Sequence, residues 1–183
     1  MEREEALELL KKNVKNKNLL KHMYAVEAIM AALAEKFNQN KELWALAGLL
    51  HDIDYDQTQA DPARHGLVGG EMLAELGFPE ELVYAVKAHN EYLGLERKSL
   101  LDKALYAADP VSGLIVAAAL IHKDKKLAVI DKNFLLKRFG EKAFARGANR
   151  EQISSCSEIG LELAEFLELS LEAMKKIAPA LGL

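Results

Sequence analysis

The residues best suited to chemistry in this sequence are the adjacent pair His51 and Asp52. The pair closes the strongly apolar stretch 44–50, so a helix that ends there carries an imidazole and a carboxylate toward the interior. An ionised carboxylate is costly to bury without a partner, and a metal cation is an effective partner. Nitrogen and oxygen ligands together suit first-row transition metals. The other interpretation is a solvated turn at a helix end, and the pair alone favours neither.

Two further aspartates are candidates for the same chemistry. Asp109 follows the small-residue helical stretch 105–108 and precedes Pro110, so it either lies on a tightly packed helix or ends one. Asp54 lies two residues beyond Asp52, and Asp52 and Asp54 are the candidate catalytic residues. Asp54 could accept a proton from a bound water. The alternative, which we favour, is that Asp54 caps the helix end or the following loop.

The elements that must position these residues are helical in period, and no stretch alternates as a strand would. The pattern predicts an all-α bundle of eight or nine helices without a sheet. Pro110 should break or kink the helix that begins near residue 99. Asn149 and Gln152 have the spacing of a capping box for the last helix, which either breaks near Gly160 or continues. The predicted helices cover 2–14, 16 or 18 to 37, 40–53, 62–76, 79–89, 99–120 and 149–176.

Composition limits the class of protein. The chain has 183 residues, of which half are hydrophobic, and a formal charge of −4, which excludes nucleic-acid binding through overall positive charge. A single cysteine, Cys156, allows no internal disulfide and suggests a reducing compartment. The longest apolar run, 111–121, is shorter than the roughly 20 residues that cross a bilayer. We therefore expect a cytoplasmic protein with no membrane partner, and a homo-oligomer is compatible with the sequence.

The order His22, then His51 and Asp52, then Asp109, all on predicted helices, resembles the HD superfamily of metal-dependent phosphohydrolases. The resemblance implies the compact HD-type helical fold. It also implies that these four side chains ligate one divalent metal. It covers residues 18–122 of a single 1–183 domain, in which 123–183 form a helical extension.

His65 and His89 fall between these positions. Relatives with two extra histidines there hold a second metal or use them on the substrate phosphate, so the resemblance implies one or two ions. Mixed nitrogen and oxygen ligands favour Mn, Fe, Co, Ni or Zn. A bound cation lowers the pKa of its water to about 7 and polarises a phosphoryl oxygen. The chain departs from many relatives after the dipeptide, where Ile53 and Asp54 replace glycine and lysine.

A phosphate substrate also needs positive charge. Residues 123–150 carry nine basic and three acidic side chains, a net +6 within a chain of −4. Arg146 and Arg150 in this segment, and Arg64 beside His65, are the candidate substrate-binding residues, because a guanidinium forks well onto phosphate oxygens. A solvated helical face is the more common role of such a charge run.

Three functions follow from these observations. The first is a hydrolase of a phosphomonoester or phosphodiester, for example a nucleotide, that uses a metal-bound water and a phosphorylated small molecule as substrate. The second is a metal- or nucleotide-binding regulatory module with the HD fold and no turnover. The third is a helical interaction domain without a metal. The six histidine and aspartate positions favour the first two, and nucleic acid is a less favoured partner.

Overall fold

The computed structural model describes residues 2–183, and every regular element in that range is helical. The predicted all-α class is therefore confirmed. Eleven α-helices are present in this range where eight or nine were expected, and eight of them have nine residues or more whereas three have four or five. The helices are α1 (Arg3–Asn13), α2 (Lys17–Lys36), α3 (Lys41–Leu50), α4 (Tyr55–Thr58), α5 (Leu67–Glu75), α6 (Glu80–Ala88), α7 (Leu100–Ile121), α8 (Lys132–Gly140), α9 (Arg150–Ser154), α10 (Leu163–Lys176) and α11 (Ala178–Leu181).

Helices α2 and α3 lie against each other at unusually short range. A Cβ atom on Gly48 of α3 would lie 2.8 Å from the carbonyl oxygen of Val26 and 2.9 Å from the Cα of Glu27, both in α2. Real Cβ contacts are not this short, so only glycine permits this approach. The close packing brings His51, directly after α3, next to His22 on α2.

Helix α7 is the central helix, and its course differs from the sequence prediction. Of the break or kink expected at Pro110, the break is wrong, because the helix continues from Leu100 to Ile121 with the proline inside it. A proline removes the N–H that would bond the carbonyl four residues earlier. That carbonyl belongs to Tyr106, and it accepts a hydrogen bond of 2.9 Å from the side-chain amide of Gln152. A residue distant in sequence thus satisfies the carbonyl and helps the helix to continue.

The predicted capping box at Asn149 is only half formed, because Gln152 bonds α7 instead of the start of its own helix. The Asn149 side chain accepts hydrogen bonds from the backbone N–H groups of Glu151 and Gln152, whereas the Gln152 side chain is directed to α7. Helix α9 ends at Ser154 and is followed by a 3₁₀ helix, Ser155–Ile159, which ends at Gly160 with a φ of 75°. This outcome agrees with the predicted break near that glycine.

The segment between α3 and α5 also differs from the prediction. Residues 55–58 form the short helix α4 where a loop was expected, and α5 begins at Leu67, five residues after Pro62. The turn before α5 is held by the side-chain amide of Asn90, which donates to the carbonyl oxygens of Pro62 and His65 at 2.7 Å each. This turn presents His65 to the interior.

One hydrophobic core unites the fold. Its buried side chains come from every helix except α4, so residues 123–183 pack on the same core as residues 18–122. Helix α7 contributes more residues to this core than any other helix. It is long and apolar enough to span a bilayer by length and composition, and 61% of its most apolar window is buried in the protein.

Candidate metal centre

Six side chains predicted as ligands meet at one place in the fold. They come from five parts of the chain, because His51 and Asp52 are adjacent, and three of the six directly follow a helix. They are His22 on α2, His51 and Asp52 directly after α3, His65 in the turn before α5, His89 directly after α6, and Asp109 on α7.

The imidazoles form two close pairs. The Nε2 atoms of His22 and His51 are 3.1 Å apart, and those of His65 and His89 are also 3.1 Å apart. Two ligands that each lie about 2.0–2.1 Å from one metal ion are roughly 3 Å from each other. The spacing in each pair is therefore that of neighbouring ligands on one ion.

Asp52 lies between the two pairs. Its Oδ1 atom is 3.2 Å from Nε2 of His65 and 3.3 Å from Nε2 of His89. The same oxygen is 3.5 Å from Nε2 of His51, and Oδ2 is 3.6 Å from Nε2 of His22. One carboxylate is thus within reach of all four imidazoles.

Asp109 belongs to the His22 side of the cluster. Its Oδ1 atom is 3.2 Å from Nε2 of His22 and 3.7 Å from Nε2 of His51. His51 is fully buried, whereas 27% of the Asp109 side chain is exposed. The centre is therefore closed on the His51 side and open at Asp109.

Main-chain carbonyls fix the orientation of the two most buried imidazoles. Nδ1 of His51 lies 2.9 Å from the carbonyl oxygen of Gly48, and Nδ1 of His89 lies 2.5 Å from that of Val86. A carbonyl only accepts hydrogen bonds, so each Nδ1 carries a proton and donates it. In its neutral form, each ring therefore presents the lone pair of Nε2 to the centre.

Side chains fix the other two imidazoles in the same way. Nδ1 of His65 lies 2.9 Å from Oδ1 of Asp54, which accepts its proton. Nδ1 of His22 lies 2.8 Å from Oγ of Ser112. The Ser112 hydroxyl donates its own proton to the carbonyl of Asp109 at 3.0 Å, so its oxygen accepts from His22. Such partners orient metal-ligating histidines and set their tautomer.

These hydrogen bonds determine what can hold the two Nε2 pairs together. With every Nδ1 proton committed, the facing Nε2 atoms of neutral rings have no proton between them, and their lone pairs repel. Either an added proton or a cation relieves this repulsion. The arrangement thus suits a divalent metal ion.

Electrostatics show the same preference for positive charge. Burial alone would lower the pKa of His51, but the carboxylates of Asp52 and Asp109 outweigh it and raise the pKa to about 9. Burial also opposes protonation of His65, whereas hydrogen bonds to Asp52 and Asp54 raise its pKa to about 10. Burial would raise the pKa of Asp52 and Asp109, yet the surrounding imidazoles hold both below the usual range. Without a cation, the centre collects protons instead.

Asp54 has a different position from that expected of a proton acceptor. Its side chain is fully buried, and Oδ2 accepts hydrogen bonds of 2.8 Å from the backbone N–H groups of Gly66 and Gly69. Its other oxygen receives the Nδ1 proton of His65. The catalytic role predicted for Asp54 therefore needs correction, because its oxygens are already occupied. It caps the start of α5 and orients His65, close to the capping role that the sequence favoured.

The three arginines predicted to bind substrate lie outside the ligand cluster. Arg64 and Arg146 are exposed, and neither forms an ion pair among residues 2–183. Arg150 points its guanidinium at main-chain carbonyls of its own segment, the closest being those of Phe144 and Ala148 at 2.6 and 2.7 Å. Its five N–H donors all have such acceptors, so the predicted direct contact with phosphate is corrected for Arg150.

A cavity of about 320 Å³, hereafter the slot, opens beside the exposed side of the centre. His22 and Asp109 are among the residues that line it. One wall is the α7 surface, and the other is the segment just before α9. The walls consist of Pro110, Gly113 and Ala117 on α7 and of Ala145, Gly147 and Ala148 on the opposite side. The lining is small and mostly apolar.

Sequence reasoning missed several residues that build the centre. Ser112 and Gly48 position His22 and His51, and Asn90 holds the turn that carries His65. The only local signal for Asn90 was its position next to His89 at a helix end. Ser112 acts on His22, 90 residues away, so no local pattern marks it, whereas Gly48 lies only three residues before His51.

The fold and the centre together define a helical protein with a histidine and aspartate cluster that could hold a metal ion. The sequence-family model of the HD domain matches residues 19–114, more than half of the chain. The chain therefore belongs to the HD-domain family, as the resemblance indicated. Proteins of this family are typically metal-dependent phosphohydrolases, and HD domains bind divalent metals.

Three curated relatives illustrate the match. An uncharacterized protein of Methanocaldococcus jannaschii is 33% identical over 129 residues, which cover 68% of this chain and 74% of that protein. Ribonuclease Y of Desulfotalea psychrophila is 32% identical over 96 residues, and that of Fusobacterium nucleatum is 33% identical over 95 residues. Each of these two matches covers 52% of this chain and 18% of the ribonuclease. No solved structure matches significantly.

Proposed function

We propose that this protein hydrolyses a phosphomonoester or phosphodiester with the help of divalent ions held by its histidine and aspartate cluster. The observation that carries the proposal is the orientation of the four imidazoles. Each donates its Nδ1 proton away from the centre, and the Nε2 atoms face each other in pairs at 3.1 Å. Membership of the HD-domain family supports the same activity.

We further propose that the cluster holds two ions that share Asp52. His22, His51 and Asp109 would hold the first ion, and His65 and His89 the second. The position of Asp52 between the two pairs of imidazoles supports this division. Mn, Fe, Co, Ni and Zn all accept such mixed nitrogen and oxygen ligands.

The residues of the chain provide the setting for hydrolysis. A bound divalent cation supplies Lewis acidity, which polarises a phosphoryl oxygen and makes water a better nucleophile at neutral pH. Asp52 and Asp109 have lowered pKa values and stay ionised at neutral pH, which favours cation binding. Asp52 remains the predicted catalytic carboxylate. The buried side chains of His51 and His89 keep bulk water away from the inner side, so the substrate enters at Asp109.

The slot favours a small substrate. Its volume of about 320 Å³ is at the lower end of the range for small-molecule sites. The organic part of a phosphoester would lie between α7 and residues 145–148. The exposed Arg146, whose neighbours line the slot, and Arg64, next to His65, are proposed to attract the phosphate.

The test combines metal analysis with a phosphoester screen. We expect purified wild-type protein to carry about two ions and to hydrolyse phosphoesters with added Mn, Co or Ni. His51→Ala should lose both properties, whereas His122→Ala, a histidine outside the cluster, should keep them. A wild-type protein without metal affinity, or metal content unchanged in His51→Ala, would refute the proposed site.

The same screen separates the alternatives. Bound metal with no turnover of any phosphoester would favour the regulatory module that binds a metal or nucleotide. Cleavage of an RNA oligonucleotide in preference to small phosphoesters would instead favour a nuclease. RNA belongs in the screen because two of the relatives are ribonucleases Y, although each matches over only 18% of its length.

A further inference from the structure

The segment before α9 is folded around one arginine. The guanidinium of Arg150 donates to the carbonyl oxygens of Phe144, Ala145 and Ala148 at 2.6, 2.8 and 2.7 Å. Its Nε–H donates to the carbonyl of Phe139 at 3.3 Å, at the end of α8. A single side chain thus collects carbonyls from both ends and the middle of residues 141–149, here called the wall loop.

The wall loop forms one side of the slot beside the metal centre. Ala145, Gly147 and Ala148 line the slot and face α7, whereas the carbonyls of two of them, Ala145 and Ala148, are the acceptors of Arg150. The width of the slot therefore depends on where Arg150 holds these residues.

The backbone of the wall loop is strained at a lining residue. Ala145 has a φ of 44°, which is in the left-handed region that residues with a Cβ seldom adopt. Such a conformation persists only where surrounding contacts enforce it. The carbonyl of Ala145 accepts from Arg150 and also from the N–H of Ala148 at 2.9 Å, and these bonds enforce the turn.

The arginine itself has a fixed relation to α7. It is the first residue of α9, and Gln152, two residues later, donates to the Tyr106 carbonyl of α7. Asp109 lies less than one turn further along the same helix. The metal centre, the α7 wall and the wall loop are thus connected through the short helix α9.

We propose that Arg150 is a positioning residue that sets the shape of the slot and so determines which organic groups the phosphoester substrate can carry. This inference rests on the proposed function for the identity of the ligand, but not for the hold of Arg150 on the wall loop. Arg150 does not contact the substrate, because its five donors are all directed to main-chain carbonyls.

Neither lysine nor glutamine at position 150 can make all the hydrogen bonds that Arg150 makes to the wall loop. A guanidinium is a rigid planar fork with five donors, whereas an ammonium is a single point with three. Lysine can reach one or two of the carbonyls, and glutamine offers two donors without charge. We therefore expect Arg150→Lys to retain part of the loop order and Arg150→Gln to lose most of it.

The first experiment measures hydrogen exchange of the full-length protein. The amides of residues 141–149 should exchange about tenfold faster in Arg150→Gln than in wild type, since local order governs exchange. Arg97→Gln is the matched control, because Arg97 is a partly buried arginine that contacts the side chains of Glu158 and Tyr106. Unchanged exchange in the wall loop of Arg150→Gln would overturn the inference.

The second experiment compares two esters with manganese present, phenyl phosphate with a flat leaving group and methyl phosphate with a small one. Arg150→Gln should lower kcat/KM for phenyl phosphate about 10- to 100-fold, mainly through KM, because misplaced binding groups cost this much. The loss for methyl phosphate should be smaller, Arg150→Lys should lie between, and the bound metal should be unchanged. Equal losses for both esters, or lost metal, would overturn the role in substrate selection.

The two experiments also separate this inference from the proposed function. A wild-type protein that hydrolyses neither ester, nor any other phosphoester, would refute the proposed function and with it the role in substrate selection. The exchange result would still decide whether Arg150 holds the wall loop.

Discussion

Replacing Asp52 by asparagine tests the shared carboxylate at the centre of the metal site. Asparagine has nearly the same shape, so the change removes a charge and little volume. In the wild-type protein the Asp52 carboxylate lies 3.2 to 3.6 Å from the Nε2 atoms of four histidines. No other carboxylate is in contact with both pairs of imidazoles among residues 2–183. Its loss should therefore weaken both proposed ions.

The magnitude follows from the distances. Two unit charges 3.2 Å apart interact by about 5 kcal/mol at an effective dielectric constant of 20. Part of the lost interaction energy is offset, because the carboxylate no longer has to be desolvated. The net cost of removing one partner from a buried pair is therefore about 3–5 kcal/mol. At about 1.4 kcal/mol for each factor of ten, the affinity for Mn or Zn should fall about 100- to 4,000-fold.

The assay is a chelator-competition titration of the metal at pH 7.5, with the melting temperature of the metal-free protein as a check on folding. Asp56→Asn is the matched control, because the carboxylate of Asp56 accepts from the backbone of Lys15 and Asn16 and lies outside the cluster. We expect the control to bind metal as the wild type does. An affinity of Asp52→Asn within threefold of wild type, in a folded protein, would refute the shared-ligand reasoning.

Four further predictions concern protons, packing and the orientation of a ligand. The pKa of His51 is raised to about 9 and that of His65 to about 10, so both hold protons at pH 7, and metal affinity should rise from pH 7 to 9 in titrations at several pH values. The metal-free protein should in turn lose stability over pH 7 to 10. A histidine whose pKa is raised in the folded state stabilises the fold fully below the unfolded-state pKa of about 6.5, and this stabilisation is lost as the pH rises through the folded-state pKa. A melting temperature that rises with pH would contradict this. Gly48→Ala should destabilise the protein by about 1–3 kcal/mol, since its Cβ would clash with the α2 backbone, whereas Gly140→Ala has open space and should not; equal melting temperatures would refute the packing argument. Ser112→Ala should weaken metal binding about 10- to 100-fold through His22, and an unchanged affinity would show that this hydrogen bond does not orient the ligand.

Local sequence determined most of the helices. The side chains of Asn16, Asn40 and Asn149 cap the helices that follow them, and each accepts from N–H groups no more than three residues away. Glycine at 160 ends a helix through its own backbone conformation. These signals depend on neighbours in the chain, so the helical class and most boundaries could be predicted.

The metal centre was partly predictable, for a different reason. His51 and Asp52 follow an apolar helix, and that position alone marks them as buried polar groups. His22 has no such local signal, and only its place in the family order indicated it. The structure brings it to His51 through the close approach of α3 to α2 at Gly48.

Tertiary structure alone decided the roles of the polar residues around the centre. Arg150 and Asp54 have the side chains expected of a phosphate ligand and a proton acceptor, yet one holds the wall loop and the other caps α5. Pro110 lies inside a continuous helix, where Gln152, 42 residues later, bonds the carbonyl that the proline leaves free. A residue type fixes which hydrogen bonds are available, but the partner that uses them is chosen by the packing of distant segments.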